Sequence, residues 1–384
     1  MLNIESPLVS VEWLNINIEA ENLIILDATI PKVSGAVGDN SFGYIPKSQF
    51  FDIKQKFSDT SAKFPNTIPA KTQFETESQQ LGINNSSAIV VYDQHGMYSS
   101  SRAWWLFKYF GHTNVAVLDG GLPEWNSKGF QTIKAYVNHS TKGNFKATLH
   151  SELMSDFKSM QSLSASEDAI IFDARSANRF SGEIPEPRKG LRSGTIPNSV
   201  NLPYTKLLYE NKFKSKDELK SIIDSLVTGK KKLVFSCGSG ITACNLALAA
   251  SISEYDNITV YDGSWTEYGT LTQNIMTAPN WTKDELMAYI LLYASHSDFK
   301  EDNHERNVII SKVDMQTFQR VHEEFSEDND FQSIQKIVAT IENHNYSKEA
   351  IDQILADIKG LFFADGDFDA KEHSMLLFLK RILK

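Results

Sequence analysis

The chain contains itself twice, and nothing else in it narrows the choice of fold so far. LIILDAT (Leu23 to Thr29) has a partner in AIIFDAR (Ala169 to Arg175), and GYIPKSQFFDI (Gly43 to Ile53) has one in GTIPNSVNLPY (Gly194 to Tyr204). In the same order, AIVVYDQHGMYSSSRAWWLFKYFG (Ala88 to Gly111) matches KLVFSCGSGITACNLALAA (Lys232 to Ala250) in pattern, and NVAVLDGGLPEW (Asn114 to Trp125) matches NITVYDGSWTEY (Asn257 to Tyr268). Correspondences kept in order at a nearly constant offset mean a duplicated domain. Each copy alternates short Val/Ile/Leu runs with helical stretches, which predicts an α/β unit with a parallel sheet covered by helices on both faces. The copies are expected to span 1–145 and 146–276. A chain of 384 residues leaves room for one more domain. After about Thr277 to Asn280 the strand-like runs stop, and patterns such as DELMAYILLYA and SMLLFLKRIL predict an all-helical domain over 280–384.

In parallel α/β sheets, chemistry gathers beyond the carboxyl ends of the strands. There the second copy carries Cys237, between the apolar run Leu233, Val234, Phe235 and the helical run ending at Ala250. Backbone N–H groups of such a loop and helix start would favour an anionic sulfur. Free cysteines are more often inert core residues, and that is the expectation for Cys244, about two turns into the helix. Gly238 and Gly240 shift the balance for Cys237, because they let the backbone wrap a ligand. The duplication supplies a control: laying VVYDQHG on VFSCGSG puts Asp93 where Cys237 stands. One copy is therefore expected to be active and the other structural, with a pocket between them.

Composition closes several alternatives. A net charge of −10 disfavours a general role on nucleic acid or anionic membrane, and no apolar stretch approaches the length of a membrane span. MLNIESPLVSVEW has no basic region followed by an apolar block, so the expectation is a cytoplasmic chain. Two cysteines make neither a disulfide framework nor a paired CxxC zinc site.

Strand, loop, cysteine and helix fit a short list of chemistries. A thioredoxin-like dithiol needs a cysteine where Gly240 stands, and a cysteine phosphatase needs an arginine where Ala243 stands. Sulfur transfer remains, in which a thiolate takes the outer sulfur of a donor, holds it as a persulfide and passes it on. CGSGITAC, NRFSGEIPEPRKG (Asn178 to Gly190), GMYSSSRAWWLFKYFGH and VLDGGLPEW together resemble the two-domain rhodanese family, in its 3-mercaptopyruvate sulfurtransferase branch, over roughly residues 1–275.

The resemblance implies that Cys237 is the persulfide-forming nucleophile and that Ser239 assists it. Gly238, Gly240, Ile241 and Thr242 complete a loop of donors. Arg179 and Arg188 would bind the carboxylate and carbonyl of the donor, as guanidinium forks suit; the competing expectation is an ion pair with Glu183 or Glu186. It also implies a small-molecule sulfur donor, a thiol, thioredoxin or cyanide as acceptor, and no cofactor beyond the persulfide. Gly238 and Ser239 stand where the thiosulfate branch has basic residues, so a monoanionic mercaptopyruvate suits this neutral loop better than dianionic thiosulfate. The chain departs from the pattern at two places: Lys54 and Asn66 stand at the aspartate and histidine proposed to move protons with the loop serine. Neither can do the same acid–base work.

The tail resembles a tellurite-resistance TerB-type domain through FFADGDFDAKEHSMLLFLKRI. Its acidic loop fails as an EF-hand, with Ala370 and Leu376 where glycine and glutamate are required. Weak cation binding at Asp365, Asp367, Asp369 and Glu372 competes with a helix start favoured by the dipole, and no metal site is expected. A reading of another class also stands: a persulfide-carrying or redox-responsive interaction protein whose tail recruits a partner.

Overall fold

The computed structural model describes residues 1–32, 43–138, 141–227, 229, 231–272, 279–295, 303–328, 330–344, 346–363 and 370–383. They form two compact units, Met1–Leu271 and Thr272–Lys384. In the first unit β1 (Leu8–Val9), β2 (Leu23–Asp27), β3 (Ser48–Phe50), β4 (Ala88–Tyr92) and β5 (Val115–Leu118) make a parallel sheet in the order β1-β5-β4-β2-β3. The second half repeats it. Here β6 (Met154–Ser155), β7 (Ala169–Asp173), β8 (Ser199–Asn201), β11 (Lys232–Ser236) and β12 (Ile258–Tyr261) are ordered β6-β12-β11-β7-β8, again parallel. A hairpin of β9 (Leu208–Tyr209) and β10 (Lys212–Phe213) sits outside that sheet. The central strands β4 and β11 are buried throughout except at Lys232, which opens β11, and this is why their sequences run apolar without alternation.

The helices after the two central strands hold the halves together. Ser100–Tyr109 follows β4 and Ala243–Ile252 follows β11; both are buried on nearly every face, and they pack on each other in one core shared by the copies. Where they cross, Ser101 Oγ donates to Asn245 Oδ1 at 2.6 Å. These residues, 144 apart, are equivalent in the duplication, so a local two-fold axis runs between them. Caps repeat as well: Ser10 Oγ accepts from Trp13 N ahead of the first helix, and Asp156 Oδ1 accepts from Ser159 N ahead of its counterpart.

The second unit is helical. Lys283–Ser295 runs through its core, buried on almost every side, and packs against Asn303–Lys312, Met315–Glu327, Asp330–His344, Lys348–Phe362 and Ala370–Ile382. The acidic positions Asp365, Asp367 and Asp369, and the side chain of Glu372, lie outside the described residues. Among the described residues no group of three or more His, Cys, Asp or Glu is placed to hold a metal ion, and no helix is long and apolar enough to cross a membrane.

Candidate active site

Cys237 directly follows β11 and lines a cavity of about 170 Å³, with its side chain nearly covered (2 % exposed). Lys54, Asn66 and Tyr98 of the first copy line the same cavity, together with Arg179, Arg188, Gly238, Ser239, Ile241 and Thr242 of the second. The resemblance's candidates thus meet in one place, and the first copy supplies part of the wall. Gly240 is close by, at the positive φ of +76° that the tight turn needs.

The loop is tied down from behind by a residue that sequence reasoning missed. Ser264 Oγ accepts hydrogen bonds from Cys237 N and Gly240 N, both at 3.1 Å, while Trp265 N and Thr266 N donate to the carbonyls of Cys237 and Gly238. Ser264 does this at φ +49°, uncommon for a residue with a side chain. Its equivalent is Gly121, at φ +53°, where a Cβ would stand 2.4 Å from the carbonyl of Asp93. Sequence held the signal, since DGS replaces DGG in the active copy alone. Gly240's amide is therefore spent on Ser264, whereas those of Ile241 and Thr242 donate to no other described residue.

The structural copy shows what such a loop holds. Asp93 Oδ2 accepts from the amides of Tyr98, Ser99 and Ser100 and from Ser100 Oγ at 2.8 to 2.9 Å, and Oδ1 accepts from His95 N. A carboxylate permanently fills the anion cradle that the active copy leaves facing its cavity. Cys244 is the inert thiol expected of it: Sγ–H donates to Gly240 O, and burial pushes its pKa up to about 12.

Charge is arranged in two layers. Glu186, buried, takes both Arg175 (2.7 Å) and Arg179 (2.5 Å), and Asp173 takes Arg175 as well. The ion pair weighed against a binding role for Arg179 is thus present, and Arg179 still lies over the loop, with Nη2 3.0 Å from where a Cβ on Gly238 would be. On the same side of the cavity, Arg188 Nη1 donates to Thr266 Oγ1 (3.1 Å) and Nη2 to Ser239 Oγ (2.9 Å). Burial draws the Arg188 pKa down, and burial followed by the nearby Arg188 charge lowers Lys54. Neither makes an ion pair among the described residues, which leaves the cavity net cationic inside an acidic protein.

The first copy also braces the loop. Asn66 Nδ2 donates to Ser239 O (3.1 Å) and Ser239 Oγ (3.0 Å). Arg102, fully buried, donates to Asn66 O (2.7 Å) and Gly240 O (3.2 Å), and pairs with Asp262 at 2.7 Å. His112, buried in the first copy, is bonded to Ser87 O at 2.9 Å.

A fold of two like-wound parallel sheets, with one open anion cradle at a cysteine, defines the class. The Rhodanese-like domain family matches residues 10–128 and 156–270, and the chain belongs to that family. It is 36% identical over 273 residues to the 3-mercaptopyruvate sulfurtransferase of Mus musculus, covering 68% of this chain and 91% of that one. To a mitochondrial thiosulfate/3-mercaptopyruvate sulfurtransferase of Arabidopsis thaliana it is 35% identical over 294 residues, with 69% and 76% covered. The crystal structure of SseA, a 3-mercaptopyruvate sulfotransferase from Escherichia coli, superposes with a TM-score of 0.61 at 32% identity, over 68% of this chain and 99% of that one. All of these leave about a third of this chain unmatched.

Proposed function

We propose that the chain is a sulfurtransferase that moves sulfur from 3-mercaptopyruvate to a thiol acceptor through a persulfide on Cys237. The observation that carries this reading is the pair of equivalent loops, one closed on its own carboxylate at Asp93 and one open to a cationic cavity at Cys237. In the first half-reaction the Cys237 thiolate attacks the donor sulfur. The new S–S bond forms as the C–S bond breaks, and its electron pair passes into the ketone as an enolate. The donor's thiol proton ends on carbon, giving pyruvate and an anionic persulfide. Arg188, and Arg179 above Gly238, would hold the carboxylate and ketone. A thiol then attacks the outer sulfur and returns Cys237.

Thiosulfate is the alternative donor. Against it stands the space over Gly238, which Arg179 occupies so closely that a basic side chain there would displace it. The deciding experiment is intact mass after brief exposure to 3-mercaptopyruvate or thiosulfate. We expect one added sulfur atom from mercaptopyruvate, absent in Cys237→Ser; loading from thiosulfate alone would overturn the donor assignment, and loading from neither the activity.

We place the domain limits at 145 and 276, with the first copy non-catalytic. The helical unit reads as a TerB-like module that recruits a protein partner, on the resemblance of FFADGDFDAKEHSMLLFLKRI, and the whole as cytoplasmic.

A further inference from the structure

The hydrogen bonds around Ser239 decide which way its proton points. Oγ accepts from Arg188 Nη2 at 2.9 Å and from Asn66 Nδ2 at 3.0 Å. A guanidinium has no acceptor. The Asn66 amide is oriented by its second bond, since Nδ2 also faces the carbonyl oxygen of Ser239, which can only accept. Both lone pairs of Oγ are thus used, and its hydrogen has no acceptor among the described residues. Ser239 is 6 % exposed and Asn66 5 %, and both line the cavity beside Cys237.

We infer that Ser239 is a one-way hydrogen-bond donor into the cavity, held so by Asn66 and Arg188, and that it stabilises the oxyanion forming on the sulfur donor rather than removing the donor's proton. This rests on the sulfurtransferase reading above. A hydroxyl that accepts from two cationic or amide donors is a poor base and a polarised donor. Asn66 is then a positioning residue: it acts through Ser239, fixing the serine proton outward. The left-handed backbone of Asn66, φ +62°, is one that asparagine and aspartate tolerate best, which makes Asn66→Asp the conservative probe.

For mercaptopyruvate the oxyanion is the enolate oxygen. The C–S electron pair flows onto it as the S–S bond forms, Ser239 donates a hydrogen bond to it without losing its proton, and the donor's own thiol proton later completes the methyl group of pyruvate.

The test is single-turnover persulfide formation on the full chain, followed by intact mass from about pH 7 to about pH 9.5, across the ionisation of a free thiol near 8.5. Wild type, Ser239→Ala and Asn66→Asp are compared. A lost oxyanion donor costs about 10²- to 10³-fold in rate. We expect a loss of that order in the limiting rate of Ser239→Ala, the same at both ends of the range, with little change in the donor concentration that gives half that rate. Asn66→Asp should lower the limiting rate too, because its carboxylate accepts the serine proton and turns it from the cavity. If Ser239 acted as the base, the Ser239→Ala loss would vanish at the alkaline end, where the donor is already ionised; that result, or no loss at any pH, overturns the assignment while leaving the persulfide chemistry standing. Failure of the wild type to load sulfur overturns the sulfurtransferase reading and this assignment together.

Discussion

At the scale of single residues, the equivalent positions of the two copies diverge where chemistry does. Asp119 and Asp262 are one such pair. Asp262 meets the buried Arg102, whereas Asp119 meets no arginine among the described residues: its Oδ1 accepts from Phe213 N at 2.9 Å, and burial lifts its pKa to about 6, with Glu124 adding and Lys212 opposing. A carboxyl raised above its unfolded value contributes stability below about pH 4 and loses it as pH rises through about 6. Asp119→Asn, which keeps the acceptor and cannot ionise, should match the wild type near pH 4 and exceed it by about 2 kcal/mol near pH 7. Urea unfolding at the two pH values measures this, and an equal gap at both would refute it. The cavity residues Cys237, Ser239, Arg179 and Arg188 could all be read from the chain because they stand in two short motifs, CGSGITAC and NRFSGEIPEPRKG. Ser264 left only the trace of DGS in place of DGG, and the orientation of Asn66 left none, since each acts through a loop brought to it only by folding.

At the scale of elements, the buried helices after β4 and β11 do unequal work. Arg102 stands where the second copy has Leu246, a charge in a place its twin fills with an apolar side chain. It uses this position to grip Asn66 O, Gly240 O and Asp262, none of which is near it in sequence. Removing one member of a buried ion pair leaves the other uncompensated, at about 3–5 kcal/mol. Arg102→Met should therefore destabilise the chain by about that much in denaturant unfolding and slow persulfide formation; a loss under about 1 kcal/mol would mean that Asp262 is solvated or otherwise satisfied. The strands and helices themselves were legible, because runs such as AIVVY and KLVFS announce a doubly covered parallel sheet. Caps were not: Ser10 and Asp156 do the same job with different side chains, so the repeat is invisible there in letters.

At the scale of the molecule, one core spans both copies, and the cavity takes its wall from each. The second copy expressed alone over 146–276 would expose the helix Ala243–Ile252 and lack Asn66 and Arg102. It should show neither a cooperative thermal transition nor sulfur loading, whereas residues 1–272 should retain both; calorimetry and intact mass check each. A sharp transition in the isolated second copy would show that its half of the core suffices. The order of domains was plain in the sequence as repetition, but the way each half completes the other was not, because no repeat reports which faces meet.

The contact between Ser101 and Asn245 has a further consequence. Two equal halves related by a two-fold axis are the geometry of a homodimer, and in a homodimer every substitution is made twice and every site is built twice. Joining the halves in one chain replaces an association that dilution can reverse with one held at a fixed local concentration. It also releases each half from resembling the other: one site can keep a carboxylate in its own cradle for good, and serve as masonry for the site that stays open.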